Sequence, residues 1–261
     1  MGDVEALRDR IRHIGPVTVA FSGGADSALL AWVAHDTLGA DGAHCVTAVS
    51  PSLAADQADD CAALAREWGL RWSPVETDEM ARPAYVANDV ARCAHCKTEL
   101  LDMLAPLAAA EGATVVLGVN LDDLGDHRPG QAVAAAAGAV FPLVDAGFTK
   151  SDVRRVSQEL GLRTWNKPAA ACLASRVPYG TPVTLGTLDR VARAEAGLHR
   201  LGFVELRVRH YGDLARVELD TGELDVALAR REEVVAAVKA AGYRYVTLDL
   251  EGFRSGNLNP S

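Results

Sequence analysis

Four groups of residues in this 261-residue chain have the types and spacing of chemistry. The first is Ser22-Gly23-Gly24-Ala25-Asp26-Ser27, set between the apolar run Val17-Thr-Val-Ala-Phe21 and a helical pattern. Adjacent glycines let the backbone turn sharply and bring amide N–H groups against an anion. Ser22 and Ser27 add hydroxyl donors, and a helix N-terminus adds unpaired N–H groups and partial positive charge. Asp26 would repel a bare anion, but beside a polyphosphate it makes sense as a partner of Mg2+. The spacing is neither GxxxxGK[ST] nor GxGxxG. The bland alternative is a Gly-Gly turn capped by Ser and Asp, and the strand–loop–helix context argues for a phosphate loop instead.

The second group is Gly118-Val-Asn120-Leu-Asp122-Asp123-Leu-Gly-Asp126-His-Arg128-Pro129-Gly130. It follows the apolar run 114–119, at the strand end where an α/β sheet binds ligand. Gly118 would let a flat base approach the backbone. Asn120 and the acids would contact a nucleotide or hold Mg2+, and Pro129 suits the first turn of a helix.

The third group is cysteines. Arg92-Cys93-Ala-His-Cys96-Lys97 is a lone CxxC just before a helical pattern, open to three readings: half a zinc site, a dithiol pair, or part of an iron–sulfur site. Cys172 lies in Asn166-Lys167-Pro168-Ala-Ala-Ala-Cys172-Leu-Ala-Ser175-Arg176-Val-Pro178-Tyr179-Gly180, where Lys167 and Arg176 would favour a thiolate. Cys45 and Cys61 sit in apolar patterns and read as buried small hydrophobes. The fourth group is Arg207 and Arg209, two residues apart on a strand pattern with Glu205. Arg216, Glu218 and Asp220 share a face of the next strand pattern. The arrangement reads either as cross-strand ion pairs on a solvated face or as a clamp for a phosphate monoester.

The elements that must position these groups are legible from hydrophobic periodicity. Strands are expected at 17–21, 45–50, 71–76 and 114–119. Helices are expected at 25–38, 54–68, 97–110 and 149–160, with Thr149 or Ser151 as an N-cap and Gly69 and Gly161 as stops. This alternation implies right-handed βαβ crossovers: an α/β fold with a Rossmann-like, mainly parallel sheet. From about 185 the order becomes helix 188–201, strands 204–210 and 215–220 with a hairpin turn at Tyr211-Gly-Asp213, helix 223–241 and strand 243–250. A small C-terminal α+β domain is expected there. The division is expected between residues 1–182 and residues 183–261.

Composition excludes several classes. Hydrophobic residues are 49% and charged residues 23%, too apolar for a disordered chain. No apolar run is long enough for a membrane span, and no basic, apolar leader opens the chain, so a cytoplasmic protein without a membrane partner is expected. The net charge of −9 argues against a long nucleic-acid footprint, while leaving room for a small anionic ligand. Five cysteines in such a chain do not read as a disulfide framework.

SGGADS resembles the PP-loop of adenine nucleotide alpha-hydrolase-like enzymes, which cleave ATP between the alpha and beta phosphates and adenylate an oxygen. Together with GVNLDDLGDHRPG, NKPAAACLASRVPYG, LRVRHY and LDLEGFRSGN, in that order over nearly the whole chain, it resembles the LarE family. That resemblance implies an ATP-dependent sulfur transferase of nickel-pincer nucleotide cofactor synthesis. Such an enzyme adenylates a carboxylate of a pyridinium dicarboxylate mononucleotide and makes it a thiocarboxylate.

Carried onto this chain, the resemblance puts ATP at Ser22, Gly23, Gly24, Asp26 and Ser27, with Gly118, Asp122 and Asp123 nearby. It makes Cys172 the sulfur-bearing cysteine and Asp26 and Glu195 catalytic, although Glu195 stands in plain helix. It sets Arg176, Arg207 and Arg209 near the substrate phosphate. Family members use either one sacrificed cysteine or three cysteines holding a [4Fe-4S] cluster with a transferable sulfide. Cys93 and Cys96 beside Cys172 look like the cluster-bearing kind, because three thiolates leave one iron open. A homo-oligomer is also implied. The rival readings are a tRNA thiolation enzyme, disfavoured by the acidic charge, an amide-forming synthetase of the NAD synthetase type, and a nucleotide-binding regulatory module without chemistry.

Overall fold

A computed structural model describes residues 2–124, 129–168 and 171–254. The chain divides into two units, Met1–Glu79 with Cys93–Ala170, and Met80–Arg92 with Ala171–Ser261. Each unit is thus assembled from two stretches of sequence.

The first unit is built on four parallel strands: β1 (Val17–Ala20), β2 (Ala43–Val49), β3 (Arg71–Glu76) and β4 (Thr114–Leu117), in the spatial order β3-β2-β1-β4. β1 is central, with Val19 level with Cys45 on one side and Val116 on the other. The crossovers are the helices Ala25–Gly42, Ala55–Trp68 and Arg92–Ala110. Their apolar faces cover the sheet, burying Leu29, Leu30, Val33, Cys61 and Leu64 against Val17, Val19 and Cys45. A helix missing from the sequence reading, Val4–Ile14, starts at an Asp3 cap that accepts from the Glu5 amide. It fully buries Leu7 and Ile11, one helical turn apart, and each contributes about 1.5–3 kcal/mol.

The helix after β1 reaches Gly42, four residues beyond the expected end at 38. Gly39 interrupts it at φ +72, a left-handed conformation that suits glycine. Gly69 caps Ala55–Trp68 in the left-handed region as expected. Thr149 caps Lys150–Glu159 in a reciprocal box with Asp152.

In the second unit the helix Leu185–Arg200 packs beside a three-stranded sheet ordered β5 (Leu206–Tyr211), β6 (Leu214–Leu219), β7 (Tyr245–Leu248). The β5–β6 hairpin turns at Gly212-Asp213, with Gly212 at φ +63. The helix expected over 223–241 is two helices, Leu224–Ala229 and Arg231–Ala240, separated where Arg230 leaves helical geometry. The core is Leu198, Leu206, Val208, Val217, Val238 and their neighbours. Among the described residues no helix is long and apolar enough to cross a membrane.

Candidate active site

The SGGADS loop begins where β1 ends. Gly23 stands at φ +67, and Gly24 is the extended cap of the following helix. Ser27 closes the turn: its hydroxyl donates to the Gly24 carbonyl at 3.1 Å, accepts from the Ser22 amide and lies 3.0 Å from the Ser22 hydroxyl. A Cβ on Gly23 would fall 2.9 Å from the Cys61 Sγ, so the loop is packed from behind. Cys45 and Cys61 are both fully buried, as their patterns imply, and burial pushes the Cys45 thiol up to about 12.

Lys167 reaches the same loop. Its ammonium donates to the Gly23 carbonyl at 2.9 Å and pairs with Asp60 at 2.6 Å. Arg163 pairs with the other Asp60 oxygen. Burial opposes the Asp60 charge, but the hydrogen bonds from Lys167 and Arg163 outweigh it and hold that carboxyl below its usual range. A cation is thereby fixed against the glycine turn. The sequence reading missed Asp60, which looks like any helix-surface acid. It gave Lys167 the task of favouring a Cys172 thiolate; within the first unit Lys167 bonds Asp60 and Gly23.

The β4 segment meets the loop from the other side. A Cβ on Gly118 would sit 2.7–2.9 Å from the backbone of Asp26 and Ser27. Glycine here makes room for the start of the helix after β1, a different use from the base approach expected of it. Asn120 is fully buried and donates to Asp26 Oδ1 at 2.8 Å. Asp123 is buried and pairs with Lys150 at 3.2 Å, while Asp122 accepts from the Lys150 amide. Burial pushes the Asp26 carboxyl up. The Asn120 hydrogen bond and Lys150 pull it back, and the nearby Asp123 charge reinforces the rise. Residues 125–128, which include Asp126 and Arg128 of this motif, lie outside the described residues.

Cys93 and Cys96 are the second and fifth residues of the helix Arg92–Ala110, not before the helix as expected. Their i,i+3 spacing puts both on one helix face. Cys93 is exposed and Cys96 half-buried. Gly130, in the helix Pro129–Ala136, lets that helix approach the Cys93 carbonyl, where a Cβ would be 3.2 Å away.

Cys172 belongs to the second unit and is exposed, directly before a 3-10 turn, Leu173–Arg176. Arg176 and Glu195 are both buried and form a two-pronged ion pair, 2.9 Å on each prong. Glu195 also accepts the Val208 amide at 2.9 Å. The remaining Arg176 amine donates to the carbonyls of Ala171 and Cys172 and to the Ser175 hydroxyl. Arg176 therefore holds the cysteine loop through its backbone.

Arg209 pairs with Glu218 at 2.8 Å and donates to the Ser175 carbonyl, and Arg216 pairs with Glu218 as well. The cross-strand pairs exist, but the face is not solvated: Arg209 is 5% exposed and Glu218 fully buried. Arg207 lies over the Phe253 ring, 4.8 Å from its centroid. Burial, then the neighbouring Arg176 and Arg209 cations, push its pKa down to about 10. Arg176, Arg207, Arg209 and Arg216 gather here with the carboxylates of Glu195, Glu218 and Asp249. Phe253, in a tail segment whose role the sequence does not show, is thus a platform for Arg207. Within neither unit do the described residues group three or more His, Cys, Asp or Glu side chains about a common position.

A parallel sheet whose central strand runs into SGGADS, with the helix N-terminus and an acidic loop meeting at that strand's carboxyl end, defines an ATP-using enzyme of the PP-loop class. No family model matches the chain. It is 39% identical over 257 residues, covering 98% of its length and 92% of the relative's, to pyridinium-3,5-bisthiocarboxylic acid mononucleotide synthase of Lactiplantibacillus plantarum. An uncharacterised protein of Synechocystis is 46% identical over 98% of this chain and 96% of its own length. A shorter stretch, 87 residues or 30% of this chain and 16% of the relative, is 40% identical to glutamine-dependent NAD(+) synthetase of Rhodobacter capsulatus. The chain belongs to the LarE family of ATP-dependent, sulfur-transferring enzymes.

Proposed function

We propose that the chain uses ATP to adenylate a carboxylate of pyridinium-3,5-biscarboxylic acid mononucleotide and converts it to the thiocarboxylate. The observation that carries this reading is the full-length likeness to a synthase of the bisthiocarboxylic product. The first unit binds ATP and the second binds the phosphate-bearing substrate.

Ser22, Gly23, Gly24 and Ser27 hold the polyphosphate with amide and hydroxyl donors, and Gly118, Asp122 and Asp123 stand beside it. The Lys167 ammonium at Gly23 adds positive charge where pyrophosphate leaves. Asp26, with Asp123 close enough to raise its pKa, is a donor set that fits Mg2+, and the ion would offset charge on the departing pyrophosphate. The substrate carboxylate attacks the alpha phosphorus, and a sulfur nucleophile then displaces AMP from the acyl carbon. Arg207, with Arg176 and Arg209 close by, concentrates positive charge for the substrate phosphate. Glu195 acts by holding Arg176.

Sulfur delivery is assigned to Cys172. The family resemblance adds Cys93 and Cys96, one helical turn apart, as the thiols that with Cys172 would hold a [4Fe-4S] cluster with one iron left open. Such a cluster would supply a replaceable sulfur ligand. The reading extends to a homo-oligomer in the cytoplasm. Free thiols fit a reducing compartment, and Val226, Leu228 and Tyr245 leave exposed apolar surface on the second unit.

The test is ATP–pyrophosphate exchange with the dicarboxylate mononucleotide, run beside product analysis. Cys172→Ala is expected to keep exchange and lose the thiocarboxylate; full product formation by that variant overturns the assignment. Iron and sulfide assays after anaerobic purification test the cluster. A colourless, iron-free protein that loses one cysteine sulfur per turnover rejects it in favour of a sacrificed Cys172.

A further inference from the structure

We infer that Asn88 and Arg92 form a clamp whose task is to place the Cys172 loop for sulfur delivery. The inference rests on the assignment of sulfur delivery to Cys172. Asn88 is fully buried, and at φ +56 it is the one non-glycine residue with positive φ among the described residues. Asparagine adopts that conformation more readily than most residues, but the backbone there still costs energy that its surroundings must offset. The offset is visible. The Asn88 side-chain amide donates to the carbonyls of Thr181 at 2.8 Å and Pro178 at 2.9 Å, with Val177 at 3.3 Å. Its own backbone carbonyl accepts the Gly180 amide.

Arg92 completes the clamp. Its guanidinium is 4% exposed, donates to the Asn88 Oδ1, and donates from the same nitrogen to the Ala174 carbonyl at 2.8 Å. The Tyr179 ring closes its other side, 5.5 Å from centroid to guanidinium carbon. Two residues of the 80–92 stretch thus grip the Cys172 loop at Ala174, Val177, Pro178, Gly180 and Thr181. All of these contacts lie inside the second unit.

The chain position adds the functional link. Arg92 is followed by Cys93, so the residue that holds the loop two positions after Cys172 is bonded to the first cysteine of the CxxC pair. Neither residue touches the phosphate loop or the arginine cluster in any contact described above. They are positioning residues for the sulfur step.

The experiment uses the full-length protein with ATP and the dicarboxylate mononucleotide. Asn88→Gly keeps the positive φ without steric cost and deletes the amide. Arg92→Lys keeps the charge but loses the planar guanidinium, which carries its donor nitrogen out to both acceptors and lies over the Tyr179 ring. Each is expected to leave ATP–pyrophosphate exchange within about twofold and to slow thiocarboxylate formation by up to about a hundredfold, the loss that follows an ångström-scale misplacement of a reacting group. Iodoacetamide labelling of Cys172 is expected to change rate in both variants. Equal losses in exchange and in product, or product formed at the parental rate, overturn the clamp. Cys172→Ala, run in parallel, reports on the underlying assignment separately: if it still makes product, sulfur delivery by Cys172 fails whatever the clamp variants do.

Discussion

Glu195→Ala is the most informative perturbation of the second unit. Glu195 sits 7% exposed and accepts three donors: two from the Arg176 guanidinium, each at 2.9 Å, and the Val208 amide. Removing the carboxylate strands a guanidinium that is itself 4% exposed and leaves a strand amide without its acceptor. Breaking one partner of a buried pair costs about 3–5 kcal/mol, because the other charge stays buried and uncompensated. A loss of that size corresponds to a drop in melting temperature of roughly 5–20 °C, the larger value applying if the second unit unfolds on its own. Urea and thermal unfolding of the parent and variant measure it. The double variant Arg176→Met with Glu195→Leu is the control: both charges leave together, and most of the stability is expected to return. Its product formation should remain low, because the Ala171 and Cys172 carbonyls have lost their anchor. A cost below about 1 kcal/mol for Glu195→Ala would refute the argument, since a pair in water is worth no more than that.

Two further outcomes test the first unit. Gly118→Ala places a methyl group 2.7–2.9 Å from the Asp26 and Ser27 backbone, so the helix that carries the phosphate loop must shift. ATP–pyrophosphate exchange is expected to fall at least about tenfold, which is about 1.4 kcal/mol of transition-state stabilisation, and exchange at the parental rate would show that the approach is not tight. The Asp152 carboxyl is held well below its ordinary value, first by the Thr149 hydroxyl and then by the Gly2 backbone and Arg155. A depressed carboxyl contributes stability that is present above its unfolded pKa of about 4 and is lost as pH falls. Asp152→Asn should therefore be less stable than the parent at neutral pH and approach it below about pH 4; melting curves across pH 2–7 read this directly.

Local signals carry their own geometry, and they account for what was legible in advance. The strand–SGGADS–helix order already specifies an N–H cradle, because two glycines and a helix start are adjacent in the chain. The Thr149 cap and the Gly69 stop were readable for the same reason. Burial of Cys45 and Cys61 followed from apolar periodicity. The parallel pairing of the four strands is what alternating strands and helices lead one to expect, whereas their order, β3-β2-β1-β4, is set by the fold.

What lies far apart in sequence was decided only by folding. Lys167 is 144 residues from Gly23 and 107 from Asp60, and no local pattern joins them. Glu195 looked like a plain helix residue until Arg176, 19 positions earlier, met it in a buried pair. Asn88 gave no signal at all, since nothing in Ala84-Tyr-Val-Ala-Asn88-Asp-Val-Ala91 marks it. Its meaning comes from carbonyls about 90 positions away. Residue types and short spacings determined which chemistry the chain can attempt, because a loop or a cap is closed by neighbours along the backbone. Which cation faces the phosphate loop, which acid neutralises which arginine, and what holds Cys172 in place were settled by tertiary packing. Buried charges and amides must find partners wherever the fold brings them, and sequence distance does not enter that requirement.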